Sequence, residues 1–446
     1  MFKTHPKGLY ILFFTELWER FSYYGMRAIL VLYIVAKTDN GGLGWSNTEA
    51  LALYGWYTML VYVMSIPGGW LADRVLGQKK AVLFGGILLV AGHTILAFEG
   101  IGFFYTGLSL IILGVGGLKP NISTMVGGLY KQGDPMRDKG FTIFYIGINI
   151  GAFLAGIVVA FIAQVWGWHY GFGAAGVGMF VGLIVYLMGQ KYLKTVGNLV
   201  KREKNSLSED VMRKPLTKIE KDRVIVLLLS FLIVIVFWGA YEQAGGLLNL
   251  YANKLTDRNL LGFVIPAAAF QSINPAYIIL FGGLVASFWV KRRIKGKEES
   301  SIFKMAIGNI IMGLGFVLMV GASAQSQVSA TGEVVAKSSM LWLVGAYLLF
   351  TIGELCSSPV ALSFITKLAP VKYASLMMGI YFAMTGFGNK LAGLLGEAAQ
   401  QFGDTQIFGG IAGFSVLFGL ILLLFIKKLN DLTHGAEEMN HSEATQ

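Results

Sequence analysis

The chain has few of the residues on which soluble enzymes and secreted domains depend. Its 446 residues include one cysteine, nine prolines and only 14% charged residues. A single cysteine, Cys356, excludes an internal disulfide and any multi-cysteine metal site. Hydrophobic residues make up 55% of the chain, and the mean hydropathy is +0.63. This composition is far from that of soluble domains and predicts a membrane protein.

Apolar segments of membrane-spanning length recur along the chain. A helix needs about 20 residues to cross the hydrocarbon core of a bilayer. Segments of about this length or longer lie at residues 9–36, 47–73, 79–98, 101–127, 140–165, 169–191, 223–252, 274–291, 302–322, 339–366, 371–396 and 406–427. The sequence therefore predicts an all-α polytopic membrane protein with twelve transmembrane helices.

Basic residues concentrate in every second connection between these segments. Of the 36 lysines and arginines, 28 lie in those connections. By the positive-inside rule, both termini are predicted to be cytoplasmic in a multi-pass protein of the plasma (inner) membrane. Basic residues at the surface of the lipid bilayer account for the net charge of +11, so no nucleic-acid partner is expected.

The longest polar connection divides the predicted helices six and six. We expect an N-terminal six-helix bundle over residues 1–192, a cytoplasmic linker over 193–222, a C-terminal six-helix bundle over 223–428 and a cytoplasmic tail over 429–446. This layout is typical of the major facilitator fold, in which a central cavity lies between the two bundles. Channels and unrelated twelve-helix carriers are the alternatives.

The connection between the second and third segments contains a motif of its own. It runs Gly69-Trp-Leu-Ala-Asp73-Arg74-Val-Leu-Gly77-Gln-Lys79-Lys80 and resembles the cytoplasmic gating loop of the major facilitator superfamily. Asp73 would cap a neighbouring helix, and Arg74 would help to hold the cytoplasmic side. An ordinary basic loop is the alternative.

Charged residues inside the apolar segments are the main functional signal. An unpaired charge at the bilayer centre costs about 2.5–3.5 kcal/mol or more, so such residues need partners or water. In the first segment, Glu16, Arg20, Tyr24 and Arg27 recur at steps of three and four and share one helix face. Further polar groups in the segments are Glu19, Tyr23, Tyr57, Tyr62, Lys119, Tyr145, Asn149, Glu242, Asn274, Glu354, Asn389 and Lys390.

The distribution of these charges suits a zwitterionic ligand. Basic groups of the first half can hold a carboxylate, and a glutamate of the second half can hold an ammonium group. A ligand that touches both halves would close the cavity around itself and so couple binding to alternating access. Alternatively, Glu16, Glu19, Arg20 and Lys119 only neutralise one another and fix helix packing.

Carboxylates that pair with cations in a closed site can also exchange protons. No GxxxxGK[ST] signature for ATP occurs in the sequence. We therefore predict no cofactor and no metal, with an ion gradient as the energy source; protons are the expected ion, and sodium is the alternative.

Five motifs together resemble the proton-dependent oligopeptide transporters, a branch of the major facilitator superfamily. They are Glu16-x-x-Glu19-Arg20, Gly116-Gly-Leu-Lys119-Pro120, Phe144-Tyr-x-x-Ile-Asn149-x-Gly151, Phe237-Trp-x-x-x-Glu242-Gln243 and Gly353-Glu354-x-x-x-Ser358-Pro359. The resemblance covers both halves and implies a symporter that imports di- and tripeptides with protons.

The resemblance also implies roles for single residues. Arg27 and Lys119 would bind the peptide carboxylate with help from Tyr24 and Tyr62, and Glu354 would bind the amine. The remaining substrate-site residues would be Tyr145, Asn149, Asn274 and Ser358, with Ser358 beside Glu354. The proton-coupling residues would be Glu16, Glu19, Arg20, Lys119 and Glu242, with Arg27 as the partner of Glu242.

The sequence departs from the family pattern in three places. Helix two has no histidine, helix eleven has Tyr381 where a tryptophan is frequent, and residues 193–222 are too polar for the additional helical hairpin of many bacterial members. A relative that carries another anion, such as nitrate or a modified peptide, and a membrane receptor are the competing functions. An enzyme is not expected, because no nucleophile with a base in reach is found.

Overall fold

The computed structural model describes residues 5–131, 134, 136–199, 215–295, 300–329, 331–370 and 373–436. The helices of the first half are α1 Lys7–Val35, α2 Asn47–Val63, α3 Ser65–Leu71, α4 Gln78–Leu96, α5 Ile101–Gly128, α6 Met136–Trp166 and α7 Trp168–Met188. Short 3₁₀ turns lie at Thr38–Asn40 and Gly189–Tyr192, and a π-helical turn lies at Ala72–Leu76.

The second half has a similar series of helices. They are α8 Lys218–Tyr241, α9 Leu247–Leu255, α10 Ile273–Ile294, α11 Ser301–Gln325, α12 Met340–Leu368, α13 Ala374–Phe402, α14 Asp404–Leu424 and α15 Ile426–Asp431, with 3₁₀ turns at Glu242–Ala244 and Ala267–Ser272.

Very short strands lie between the helices of the second half. They are β1 Thr256–Asp257, β2 Asn259–Leu260, β3 Phe263–Val264, β4 Gln327–Val328, β5 Val334–Ala336 and β6 Ser338–Ser339. β1 pairs with β6 in parallel, whereas β2 with β3 and β4 with β5 form antiparallel hairpins.

The helices are long and apolar enough to cross a membrane. Within the described residues, ten helical stretches meet this description by length and composition. α1 and α13 are 29 residues each and therefore also exceed the length that a bilayer requires. The prediction of an all-α polytopic chain is confirmed.

Two of the predicted continuous spans are broken in the structure. The predicted span 223–252 divides into α8 and α9, with a 3₁₀ turn that begins at Glu242. The predicted span 47–73 divides into α2 and α3 near Met64. The first break matters for function, because it places an acidic side chain at a helix end inside the protein.

Glycines let helices within each half pack at backbone distance. In the first half, a Cβ on Gly85 of α4 would lie 2.7 Å from the Gly114 carbonyl oxygen of α5. In the second half, a Cβ on Gly308 of α11 would lie 2.7 Å from the Gly353 oxygen of α12. Both distances are too short for a side chain, so the same kind of contact occurs in each half.

The ends of the predicted linker pack against helices. After α7, Leu193 and Val196 are buried, and the Lys79 amide donates to the Gly197 oxygen at 2.9 Å. At the other end, Thr217 caps α8 in a reciprocal arrangement with Glu220. Residues 200–214 and the tail beyond residue 436 lie outside the described residues, and the predicted domain limits stay a prediction.

The two halves meet at the end of the molecule where α1 finishes. α2 and α13 touch through glycines, since a Cβ on Gly393 would lie 2.8 Å from the Gly55 Cα. Hydrogen bonds across the same side join Asn47 to Gln400 at 3.0 Å, Ser272 to the Phe153 oxygen at 2.8 Å and Gln164 to the Val264 oxygen at 3.3 Å. The halves are therefore closed against each other on this side, which the positive-inside rule would make the outer side.

A substitution at Gly393 tests the close contact between α2 and α13. Gly393→Val would force α2 and α13 apart, and overpacking of this kind costs about 1–3 kcal/mol. We expect a lower unfolding temperature of the purified protein in detergent. Gly413→Val on α14 is the matched control, because an added Cβ there meets no atom within 4 Å. Equal unfolding temperatures for the two variants would contradict the close contact.

Candidate functional site

A cavity lined by polar and apolar side chains lies between the halves. It is closed on the side where α1 ends and receives side chains from both halves. Its lining residues are Tyr24, Arg27, Tyr62, Tyr145, Ile148, Asn149, Ala152, Gly156, Trp238, Tyr241, Glu242, Gln271, Asn274, Pro275, Ile278 and Glu354. Eight of the residues predicted for substrate or coupling therefore share one cavity.

An ion pair crosses this cavity from one half to the other. Arg27 Nη1 on α1 donates to Glu242 Oε1 at 2.6 Å, and Tyr54 on α2 donates its hydroxyl to the same oxygen at 3.0 Å. Both charged side chains are nearly buried, with 10% and 3% exposed. Charge-assisted bonds of this length are among the strongest in proteins. The predicted partnership of Arg27 with Glu242 is present in the structure.

The helix break in the second half is what puts Glu242 in this position. α8 ends at Tyr241, and the 3₁₀ turn that follows starts with Glu242. Gly245 in the break lies against the Tyr54 hydroxyl so closely that a Cβ would be only 1.9 Å from it. The tyrosine that binds Glu242 therefore also occupies the space that this glycine leaves.

The second acidic group of the cavity comes from α12. Glu354 Oε2 accepts a hydrogen bond from Asn274 Nδ2 at 2.8 Å, and the same nitrogen lies 3.1 Å from the Thr351 hydroxyl. Asn274 is in the first turn of α10. Asn149 faces the same cavity from α6, where its amide donates to the Tyr145 oxygen at 2.9 Å.

Aromatic rings connect the basic residues of the first half. The Tyr24 ring centroid lies 4.9 Å from the guanidinium carbon of Arg27 and 5.7 Å from that of Arg20. Lys119 Nζ lies 3.7 Å from the centroid of Tyr62. Cation–π contacts stabilise a desolvated cation by about 2 kcal/mol. Lys119 thus reaches the cavity wall through Tyr62 and is not itself among the lining residues.

Three of the predicted coupling residues, Glu16, Glu19 and Arg20, form a separate buried cluster on α1. Arg20 Nε lies 3.0 Å from Glu16 Oε1 and also pairs with Glu19. All three side chains are buried. Among the described residues, Glu16 Oε2 and Glu19 Oε1 have no hydrogen-bond partner. Two acids thus share one arginine, and some of their carboxylate oxygens are left without a partner.

This chain is similar to known transporters over most of its length. The model of the POT family matches residues 79–208 and 198–409. The chain is 37% identical to an uncharacterised transporter, YclF, of Bacillus subtilis (strain 168), over 95% of this chain and 94% of the relative.

The chain belongs to the POT family.

Two further similarities support the assignment to the POT family. A di-/tripeptide transporter of Lactococcus lactis subsp. cremoris is 33% identical over 96% of each chain. A crystal structure of a peptide transporter POT in complex with sulfate is 37% identical, with a TM-score of 0.88 over 97% of this chain and 96% of that one. The predicted major facilitator fold is confirmed, and so is the prediction of a transporter that is not an enzyme.

Three further residues that the sequence singled out, Ser358, Asp73 and Arg74, also lie outside the cavity. Ser358 was expected beside Glu354 in the cavity. It lines instead a separate small pocket with Tyr381 and Trp238. Trp238 also lines the main cavity. Asp73 and Arg74 are exposed on the π-helical turn that ends at Gly77, whose φ is +77°. The structure gives these two residues no contact with the substrate cavity.

Sequence reasoning missed several neutral residues of this POT-family cavity. Tyr54, Tyr241 and Gln271 contact or line it, yet none was predicted to have a role there. A signal existed for Gln271, which precedes the predicted Asn274 by three residues. Within the described part of the chain, no group of three or more histidine, cysteine or acidic side chains is arranged to hold a metal ion.

The buried ion pair predicts non-additive effects of substitution on stability. Arg27→Met leaves Glu242 buried without its cation, and breaking a buried pair in this way costs about 3–5 kcal/mol. We expect a large fall in unfolding temperature for Arg27→Met, and recovery of much of it when Glu242→Met is added. The control is Lys390→Met, which breaks the more exposed Lys390–Glu397 pair and should have a small effect. Additive losses in the double variant would contradict the pairing.

Proposed function

We propose that the protein is a proton-coupled symporter that imports di- and tripeptides by alternating access. It would lie in the inner membrane with both termini in the cytoplasm. The observation that carries this proposal is the cavity in which Arg27 of the first half meets Glu242 of the second, while Glu354 faces the same space with Asn274 as its hydrogen-bond partner. The similarity to a di-/tripeptide transporter supports the substrate class.

The peptide would bind by its two charged ends. Arg27, with Lys119 behind Tyr62, attracts the carboxylate, and Glu354 attracts the ammonium group. The amides of Asn149 and Asn274 supply donors and acceptors for the peptide bonds between those ends. Tyr24, Tyr62 and Tyr145 line the same space and provide aromatic surface for the substrate.

Proton coupling would follow from competition for Arg27. A peptide carboxylate that reaches Arg27 draws it away from Glu242, and a buried carboxylate that loses its cation binds a proton more readily. A neutral Glu242 no longer attracts Arg27, so the guanidinium group can stay with the peptide carboxylate. The cluster of Glu16, Glu19 and Arg20 lies on the same helix as Arg27 and would carry a proton between the cavity and the cytoplasmic side.

Uptake into proteoliposomes tests the function directly. The purified protein should accumulate a labelled dipeptide when the outside is acidic, and much less when the proton gradient is absent. Unlabelled dipeptide should compete, whereas a free amino acid and nitrate should not. Accumulation that depends on sodium alone, or competition by nitrate with no effect of dipeptide, would contradict the proposal.

The role of Glu354 predicts a selective loss of substrate affinity. Glu354→Gln removes the charge that pairs with the peptide amine, so we expect the KM for free-amine dipeptides to rise about tenfold or more. Glu397→Gln is a suitable control, because Glu397 pairs with Lys390 on α13 and is not among the cavity-lining residues. An unchanged KM in Glu354→Gln, with normal protein in the membrane, would exclude this assignment.

A further inference from the structure

Gln271 makes two contacts with α1 that no predicted role explains. It lies in the 3₁₀ turn Ala267–Ser272, just before α10, and its side chain lines the cavity. Its Oε1 accepts a hydrogen bond from Arg27 Nη2 at 3.3 Å. Its Nε2 donates to the Ala28 carbonyl oxygen at 3.4 Å. One neutral amide of the second half therefore contacts two consecutive residues of the first.

The contact with Ala28 alone does not account for this side chain. Asn249 on α9 donates to the same Ala28 oxygen at 2.8 Å, a shorter distance than that from Gln271. Both amides thus join the halves at one carbonyl, and Asn249 makes the better bond. What distinguishes Gln271 is its contact with the guanidinium group of Arg27.

The geometry at Arg27 explains what this contact can do. A guanidinium is planar, so two acceptors on its two Nη atoms fix the orientation of the whole group. Glu242 takes Nη1 and Gln271 takes Nη2. The carboxylate changes its charge when it binds a proton, whereas the amide does not. Gln271 can therefore hold the guanidinium in place after Glu242 has become neutral.

We propose that Gln271 is a positioning residue that orients Arg27 toward the peptide carboxylate while Glu242 exchanges its proton. The proposal rests on the proposed function, because it assigns Arg27 to the carboxylate. Gln271 and Arg27 belong to opposite halves, so the positioning exists only while the outer side is closed. The arginine is then ready for the carboxylate in the state in which the substrate is enclosed.

The test compares Gln271→Leu with Asn249→Leu. Both variants remove an amide that binds Ala28, but only the first removes a partner of Arg27. Peptide counterflow in proteoliposomes without a proton gradient gives KM and the maximal rate. The probes are a dipeptide with a free carboxylate and the same dipeptide as its C-terminal amide, the latter measured by competition.

We expect Gln271→Leu to raise the KM of the free-carboxylate dipeptide about tenfold, the usual effect of losing a hydrogen bond to a charged group. The maximal rate should stay about the same, and competition by the amidated dipeptide should not change. Asn249→Leu should leave the KM nearly unaltered. Gln271→Ala, a smaller replacement, should reproduce the KM change even if Gln271→Leu folds poorly.

Several outcomes would overturn the positioning role. They are an unchanged KM in Gln271→Ala and Gln271→Leu, equal losses for the free and amidated dipeptides, or the same loss in Asn249→Leu. If the unaltered protein shows no peptide counterflow at all, the proposed function is contradicted and this proposal falls with it. Normal counterflow of the unaltered protein separates the two cases.

Discussion

The ion pair between Arg27 and Glu242 is the interaction on which the rest of the structure depends. Within the described residues, it is the ion pair that crosses from one half to the other, and both side chains are nearly buried. Neither charge can be left alone in this environment without a large cost. Loss of either partner would therefore leave a buried charge at the contact between the halves.

The side chains that bind this ion pair, Tyr54 and Gln271, are neutral. The break after α8 gives Glu242 its position, and Tyr54 fills the space beside Gly245 while binding the same carboxylate oxygen. Gln271 and Asn249 add neutral hydrogen bonds to α1. The contact between Arg27 and Glu242 is thus the charged one in a group of neutral hydrogen bonds.

Much of the fold was predictable, because the lengths of the apolar segments and the positions of the basic residues can be read directly along the sequence. The charged site residues were predictable for a similar reason, since a charge inside an apolar segment is costly and needs a partner. The break at Glu242 was missed although Gly245 and Gly246 follow it, because residues 223–252 together have the length of one span. Gln271 was also missed, although it precedes Asn274 by three residues: its contacts with Arg27 and Ala28 join segments about 240 residues apart, and nothing in the sequence brings those segments together.

In the proposed function, competition between Glu242 and the peptide carboxylate for Arg27 would make transport depend on protons. This exchange is tested most directly by proton uptake on binding, measured with the purified protein in weakly buffered detergent solution. Adding a dipeptide should cause the unaltered protein to take up protons from solution, and should cause little uptake in Glu242→Gln. Peptide binding without proton uptake in the unaltered protein, or equal proton uptake by Glu242→Gln, would contradict the exchange.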